Sequence, residues 1–461
     1  MSDLAEKFAY QPPELFEHQK KSIERYNRSP HILNFSDAGT GKTAAWIRWF
    51  EEARKGMKNN RGIVFAPLSI LTAAWANDVA TFAPDLRVQV VTAKDRRDTF
   101  KADADLFVTN HDMIRAIAKE PNLLPDKLGF LNVDESTAFK NPKAARAKAM
   151  YRHTRHVEHR TIMTATPRPQ GIQDLFQQVL IADDGERLGQ NYYRFLNSVC
   201  EPEQVGAHRQ AVQWIEKTGA SDAVADLLDD ITIRHKLEEC IDMPERVYVK
   251  MPLELSTKHR AAYDELKAFM LIETANGSRI NAIHAGALRQ KLLQMLSGAV
   301  YDEERLVQTF STERYNLVAD LVETRPASLV AYEWKHQMTA LSTEFKKRGI
   351  KHAVIDSSVP KLADRTEIVR KFQAGELQAI IAHPRSAGHG LTLTRAVTVI
   401  WPSPTSSSEL WTQFNARIYR AGQDKRTEVI MLHAVDTAED RVYDNLTYRV
   451  SQEEDFLTLV K

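Results

Sequence analysis

Cysteine is almost missing from this chain. Cys200 and Cys240 are the only two, which excludes a disulfide scaffold and any multi-cysteine zinc module and leaves a pair of reduced thiols. An excess of charge of one sign is missing as well: 62 Lys+Arg stand against 61 Asp+Glu, so no strongly basic balance announces a nucleic-acid binder. Long apolar runs are absent. The longest uncharged stretch, Gly62 to Asn77, carries Pro67 and Ser69 and falls short of the roughly 20 apolar residues of a membrane helix. The opening MSDLAEKFAY has no basic leader followed by an apolar core, so no secretion signal is read there and a cytoplasmic protein is expected. Gly/Ser-rich or Pro-rich linkers and low-complexity segments are missing too. The 15 histidines include no pair at metal-binding spacing such as HExxH, so no metal beyond Mg²⁺ is expected.

What is present describes a soluble enzyme. A hydrophobic fraction of 43% with 27% charged residues excludes disorder as the main state, and 461 residues suffice for two or three cores. Short β-branched runs recur, each followed by a helical pattern. They are His31–Phe35, Gly62–Ala66, Val88–Thr92, Asp105–Thr109, Phe130–Asp134 and Arg160–Ala165, then Ala327–Tyr332, His352–Asp356, Gln378–His383, Ala396–Trp401 and Glu428–His433. Nearly continuous apolar runs such as IVFA and VTVIW suit parallel strands buried on both faces, and their alternation with helices implies βαβ units. The series occurs twice, so two α/β lobes are expected, 1–240 and 241–461. Between the series, Asp222 to Glu323 reads as mostly helical with one strand-like interruption at Arg246–Leu253, and 255–323 reads as a helical segment of the second lobe.

The first lobe opens with the strand-like HILNF, then SDAGTGKT from Ser36 to Thr43, then the helical AAWIRWFEEARK. A strand, a glycine-bearing loop and a helix N-terminus make a nest of backbone N–H groups suited to phosphate. In such a loop Gly39 and Gly41 supply backbone freedom around Thr40, Lys42 reaches the β- and γ-phosphates, and Thr43 holds Mg²⁺. The strict pattern has Gly where this chain has Ser36, a relaxation typical of helicase-type loops. Downstream, FLNVDES (Phe130–Ser136) ends an apolar run in two carboxylates. Asp134 suits Mg²⁺ binding, and Glu135 suits orienting and deprotonating the attacking water. Trp46 and Trp49, three apart on the helix after the loop, read as core.

With these blocks in order, the sequence resembles the superfamily-two helicases, and within them the Swi/Snf-like double-stranded-DNA translocases, from about Glu14 to Leu446. His18-Gln19 looks like the upstream block in which a glutamine, here Gln19, reads adenine. Ile63–Pro84, Ala104–Ile114, Val133–Asn141 and TATPRPQGIQDLF (Thr164–Phe176) follow in the family's order, and Thr232–Leu266 resembles the segment that joins its lobes. RSAGHGLTLTRA (Arg385–Ala396), with Gly390, is similar to the glycine-containing motif that bridges the lobes, and QFNARIYRAGQ, opening on Gln413, to the arginine-finger block. Arg417 and Arg420, three apart in what reads as a helical context, would share one face, and two guanidinium forks suit charge developing on a transferring phosphoryl group. Thr137, Ala387 and Thr392 depart from the family's usual residues, as does WPSPTSSSELW (Trp401–Trp411).

The resemblance implies two RecA-like lobes with parallel sheets flanked by helices, and a nucleic-acid-stimulated ATPase using ATP and Mg²⁺. Hydrolysis between the lobes would drive translocation along double-stranded DNA without sequence specificity. The departures point to a minimal bacterial or phage motor. Other readings of the same residues are a strand-separating DNA or RNA helicase and a motor that displaces a bound protein such as a polymerase. For the nucleic-acid path, Lys140 to Arg160 is a basic run (140, 143, 146, 148, 152, 155, 160) broken only by Glu158, able either to neutralise phosphates or to form a solvated face. Ser69, Thr109, Asn110, Lys140, Asn141 and Ser386 are the candidate contacts to phosphate and sugar.

Overall fold

The computed structural model describes residues 10, 12–204, 212–275, 282–302, 304, 306–356, 359, 362–387 and 391–460. The chain divides into two compact units: 1–203 with 213–241 and 452–461, and 204–212 with 242–451.

The first unit is built on a seven-stranded sheet. Its strands are β1 (His31–Asn34), β2 (Arg61–Ala66), β3 (Val88–Val91), β4 (Leu106–Asn110), β5 (Leu128–Asp134) and β6 (His159–Met163). Past β7 (Cys200–Gln204) and β8 (Val212–Glu216), which pair only with each other, β9 (Thr232–Ile233) completes it. The order is β3-β4-β2-β5-β6-β1-β9, all parallel. Alternate residues of each strand enter two separate cores, as a strand covered on both faces requires. Ile63, Phe65, Leu131 and Val133 pack on one side with the helix Ala145–Thr154. Val64, Ala66 and Phe130 pack on the other with Trp46, Trp49, Phe50 and Trp75. Each fully buried side chain of this size contributes about 1.5–3 kcal/mol. Trp46 and Trp49 are core residues, their indole N–H groups donating to Thr161 Oγ1 and Asn27 Oδ1.

The second unit has a six-stranded parallel sheet. Its strands are β10 (Arg246–Leu253), β13 (Ser328–Ala331), β14 (His352–Ile355), β15 (Ala379–Ala382), β16 (Thr398–Trp401) and β17 (Thr427–Ala434), in the order β10-β17-β16-β13-β15-β14. The same alternation holds: Leu329, Ile380 and Val399 serve one core, and Val330, Ile381 and Ile400 the other.

The stretch expected to be mostly helical contains more strand than its sequence suggested. Thr257–Ala275, Ala282–Leu296 and Glu313–Glu323 are helices, and the expected strand at Arg246–Leu253 is an edge strand of the second sheet, but β11 (Ala299–Tyr301) and β12 (Val307–Thr309) add a hairpin between the helices. Among the described residues no helix is long and apolar enough to cross a membrane.

Candidate ATP site

Because β1, β5 and β6 are neighbours and parallel, the loops after them emerge at one end of the sheet, where open α/β sheets bind ligands. The loop after β1 runs into the helix Lys42–Ala53. Gly39 at φ +91° and Gly41 at φ +73° lie in the left-handed region, which glycine enters without penalty. A Cβ on Gly41 would also meet Gln19 Nε2 at 2.0 Å. Thr40 is buried and its Oγ1 donates to Asp37 O at 2.9 Å. The Lys42 ammonium folds back onto the loop, donating to Ser36 O at 2.5 Å and Asp37 O at 2.9 Å. Burial pulls its pKa down, opposed by the nearby carboxylates of Glu135, Asp134 and Asp37. The structure thus brings Lys42 and the acidic pair together.

At the end of β5 the Asp134 carboxylate is held from two sides. Trp75 Nε1 donates to Oδ2 at 2.9 Å and the Glu135 N–H to Oδ1 at 3.0 Å, while His111 Nε2 donates to the Asp134 carbonyl at 2.7 Å. Burial first, and the adjoining Glu135 second, push its pKa up to about 6. Glu135 stands at φ +50°, a left-handed conformation uncommon for a non-glycine residue and of the kind that collects at functional sites. Trp75 reaches Asp134 from a π-helical turn, Leu71–Ala76, a wider helix form often found at such sites. Ser136 Oγ donates to Gln178 Oε1 at 2.6 Å, and Gln178 Nε2 donates to Pro167 O at 2.7 Å. One glutamine therefore ties the acidic motif to the TATP segment. Trp75, His111 and Gln178 are site residues that no sequence motif marks.

His18 and Gln19 brace the far end of the loop. His18 Nε2 donates to Thr40 O at 2.7 Å, and Gln19 Nε2 to Gly41 O at 3.2 Å. Gln19 Oε1 accepts from the Phe16 N–H at 2.9 Å, so both ends of this amide are engaged within the chain.

The donors fit Mg²⁺. Thr43 has a half-buried hydroxyl for which no hydrogen bond is formed among the described residues, and Asp134 offers a half-buried carboxylate whose charge burial makes costly without a cation. Both are hard oxygen ligands. No cluster of three or more His, Cys, Asp or Glu suited to another metal occurs among the described residues.

In the second unit the arginine block differs from expectation. The helix Ser408–Asn415 ends before Arg417, so Arg417 and Arg420 sit in the turns beyond it and do not share a helix face. Beyond the helix the Arg417 carbonyl accepts the Leu393 N–H at 2.9 Å. Arg417 is only 3% exposed, its Nε donating to Gln413 O at 2.8 Å. Arg420 is half-buried, with Nε on Ala416 O at 2.9 Å. Gln413 is buried, and Gly390 lies outside the described residues.

The candidate nucleic-acid contacts separate by exposure. Thr109 is 0% exposed and its hydroxyl donates to Val91 O at 3.0 Å, so a strand-interior bond takes up the group expected to reach phosphate. Asn110 is half-buried and its Oδ1 accepts the Met113 N–H. Lys140 pairs with Asp174 at 3.4 Å, and Asn141 is exposed. Ser69 and Ser386 are half-buried. In the basic run Arg160 is withdrawn: it is buried, with Nε on Ala182 O at 2.7 Å. Lys148, Arg152 and Arg155 are all exposed, and their spacing on and just past the helix Ala145–Thr154 places them along one face.

Comparison with known proteins gives this geometry a context. The SNF2-related domain family matches residues 21–308, and the helicase conserved C-terminal domain family matches residues 313–422. Putative protein p41 of Acyrthosiphon pisum secondary endosymbiont phage 1 is 29% identical over 374 residues, covering 77% of this chain and 77% of its own length. A putative ATP-dependent helicase/translocase of Bacillus subtilis, YwqA, is 24% identical across 88% of this chain, which spans 44% of that relative. Among solved structures, the Sulfolobus solfataricus SWI2/SNF2 ATPase core in complex with dsDNA aligns over 97% of this chain and 94% of its own, with a TM-score of 0.45 and 21% identity.

Proposed function

The chain belongs to the SNF2-related family and is an ATP-dependent helicase-like enzyme, and we propose that it translocates along double-stranded DNA without separating the strands. The observation that supports the ATPase assignment is the glycine loop after β1, with the Lys42 ammonium resting on the carbonyls of Ser36 and Asp37, at the same end of the parallel sheet as Asp134.

When ATP binds, the Lys42 ammonium exchanges the carbonyls of Ser36 and Asp37 for phosphate oxygens. Thr43 and Asp134 would hold Mg²⁺, which shields phosphate charge when bound. Glu135 orients the attacking water and takes its proton. Trp75 fixes the rotamer of the Asp134 carboxylate, and Arg420 offsets charge on the transferring phosphoryl group. The exposed row Lys148, Arg152 and Arg155 supports contact with a phosphate backbone, read by charge and not by base sequence. ATP turnover measured with matched duplex DNA, single-stranded DNA and RNA tests the reading; it requires the duplex to be the strongest activator.

A further inference from the structure

The phosphate loop is held by a segment almost two hundred positions later in the chain. β9 extends the sheet beside β1, with Leu33 opposite Thr232 and Asn34 opposite Ile233, and the pairing continues past the strand ends. The Phe35 N–H donates to Ile233 O at 2.9 Å, and the Asp37 N–H to His235 O at 3.0 Å. In return the His235 N–H donates to Ser36 Oγ at 3.1 Å and the Leu237 N–H to Asp37 Oδ2 at 2.9 Å. Arg234 completes the set, one guanidinium nitrogen reaching Asp37 Oδ1 at 2.5 Å and Phe35 O at 3.1 Å. The Arg234 side chain is 9% exposed and that of Asp37 34%.

These bonds converge on the two residues whose carbonyls hold the Lys42 ammonium, Ser36 and Asp37. The Asp37 carboxylate also lies within the electrostatic reach of Lys42. Two cations therefore compete for one carboxylate, and the structure shows Arg234 in possession of it. A guanidinium is a more directional partner for a carboxylate than an ammonium, and the Leu237 N–H takes the other Asp37 oxygen.

We infer that Arg234 is a positioning residue for ATP binding: by occupying Asp37 it keeps that carboxylate from pairing with Lys42, so that the ammonium is free to move to the phosphates. The inference rests on the reading of this loop as the ATP site. Without Arg234, Asp37 becomes the partner of Lys42, and phosphate must compete with a side-chain carboxylate in place of two neutral carbonyls. Removing the Asp37 charge as well removes the competitor.

The test is steady-state ATP turnover by the full chain, at saturating duplex DNA, for the wild type, Arg234→Gln, Asp37→Asn and the double variant, with a thermal melt of each. Arg234→Gln should raise KM for ATP about tenfold with kcat within about threefold. The double variant should recover most of that loss, and Arg234→Lys should lie between Arg234→Gln and the wild type. A purely structural brace predicts the opposite order, with the double variant at least as impaired as the single. That order, or a fall in kcat at unchanged KM, overturns the inference. Wild-type protein without turnover would overturn the ATP-site reading itself, whereas turnover with unmoved KM in Arg234→Gln removes only the role of Arg234. Asp37→Asn is isosteric and half exposed, so it reports even where Arg234→Gln melts early.

Discussion

The indole N–H of Trp75 donates to Asp134 Oδ2 at 2.9 Å, joining a fully buried aromatic to the carboxylate at the end of β5. A neutral donor on an anion favours the charged form, and it opposes the burial and the Glu135 charge that push Asp134 up. Trp75→Phe keeps the packing and removes the donor. A hydrogen bond to a charged group contributes about 1.5–3 kcal/mol, so half-maximal turnover should need about tenfold more Mg²⁺ or above. Glu135→Gln should instead lower kcat by about 10²–10⁴ even at saturating Mg²⁺, since it removes a base and not a ligand. A Mg²⁺ titration of turnover in both variants separates the two roles.

Arg420 and Arg417 should fail differently. Arg420→Ala should lower kcat about a hundredfold with KM for ATP within about threefold, as expected of a group acting on the transition state. Arg417→Ala removes the bonds its guanidinium donates to the carbonyls of Gln413 and Leu391, so it should also cost about 1–3 kcal/mol of stability. Urea unfolding alongside kinetics distinguishes them.

The exposed face of Lys148, Arg152 and Arg155 should set the salt dependence of DNA binding. Replacing all three by Ala should make the log–log slope of affinity against salt shallower by about 0.9 for each phosphate that is no longer neutralised. Basal turnover without DNA should stay at the wild-type level. Unchanged slope would remove this face from the DNA path.

Stability should fall in mild acid. Burial lowers the pKa of His336 from 6.5 to about 4, with Nε2 hydrogen-bonded to Ser297 Oγ at 2.7 Å. His31 and His235 are also lowered to about 4, mainly by burial. The unfolded chain takes up protons first, so the stability of the neutral imidazoles is complete above pH 6.5 and is lost as pH falls towards 4. His336 alone accounts for about 2–3 kcal/mol over that window. Urea midpoints measured from pH 7.5 to 4.5 should fall less steeply in His336→Gln.

Much of this architecture is legible in the sequence because its signals are local. Runs such as IVFA and VTVIW mark strands buried on both faces, and SDAGTGKT between a strand and a helix marks the loop. Contacts distant in sequence are not marked. The two-residue β9 is too short to carry a periodicity, yet it brings Arg234 to Asp37. The hairpin of β11 and β12 hides between helical patterns, since three-residue strands leave no alternation to count. Arg417 reads as helical by spacing, but its carbonyl is taken by Leu393, and a local pattern cannot register that bond. Thr109 ends an apolar run and reads as a strand terminus, whereas pairing with both β2 and β3 buries it.

A motor that moves on duplex DNA without separating it displaces the third strand of a DNA triplex in the presence of ATP, and that displacement is the decisive measurement. Such a motor gives ATP-dependent triplex displacement, duplex DNA as the strongest activator of turnover, and no unwinding of a matched duplex. Duplex unwinding, or turnover activated by single-stranded DNA or RNA and not by duplex, would contradict it.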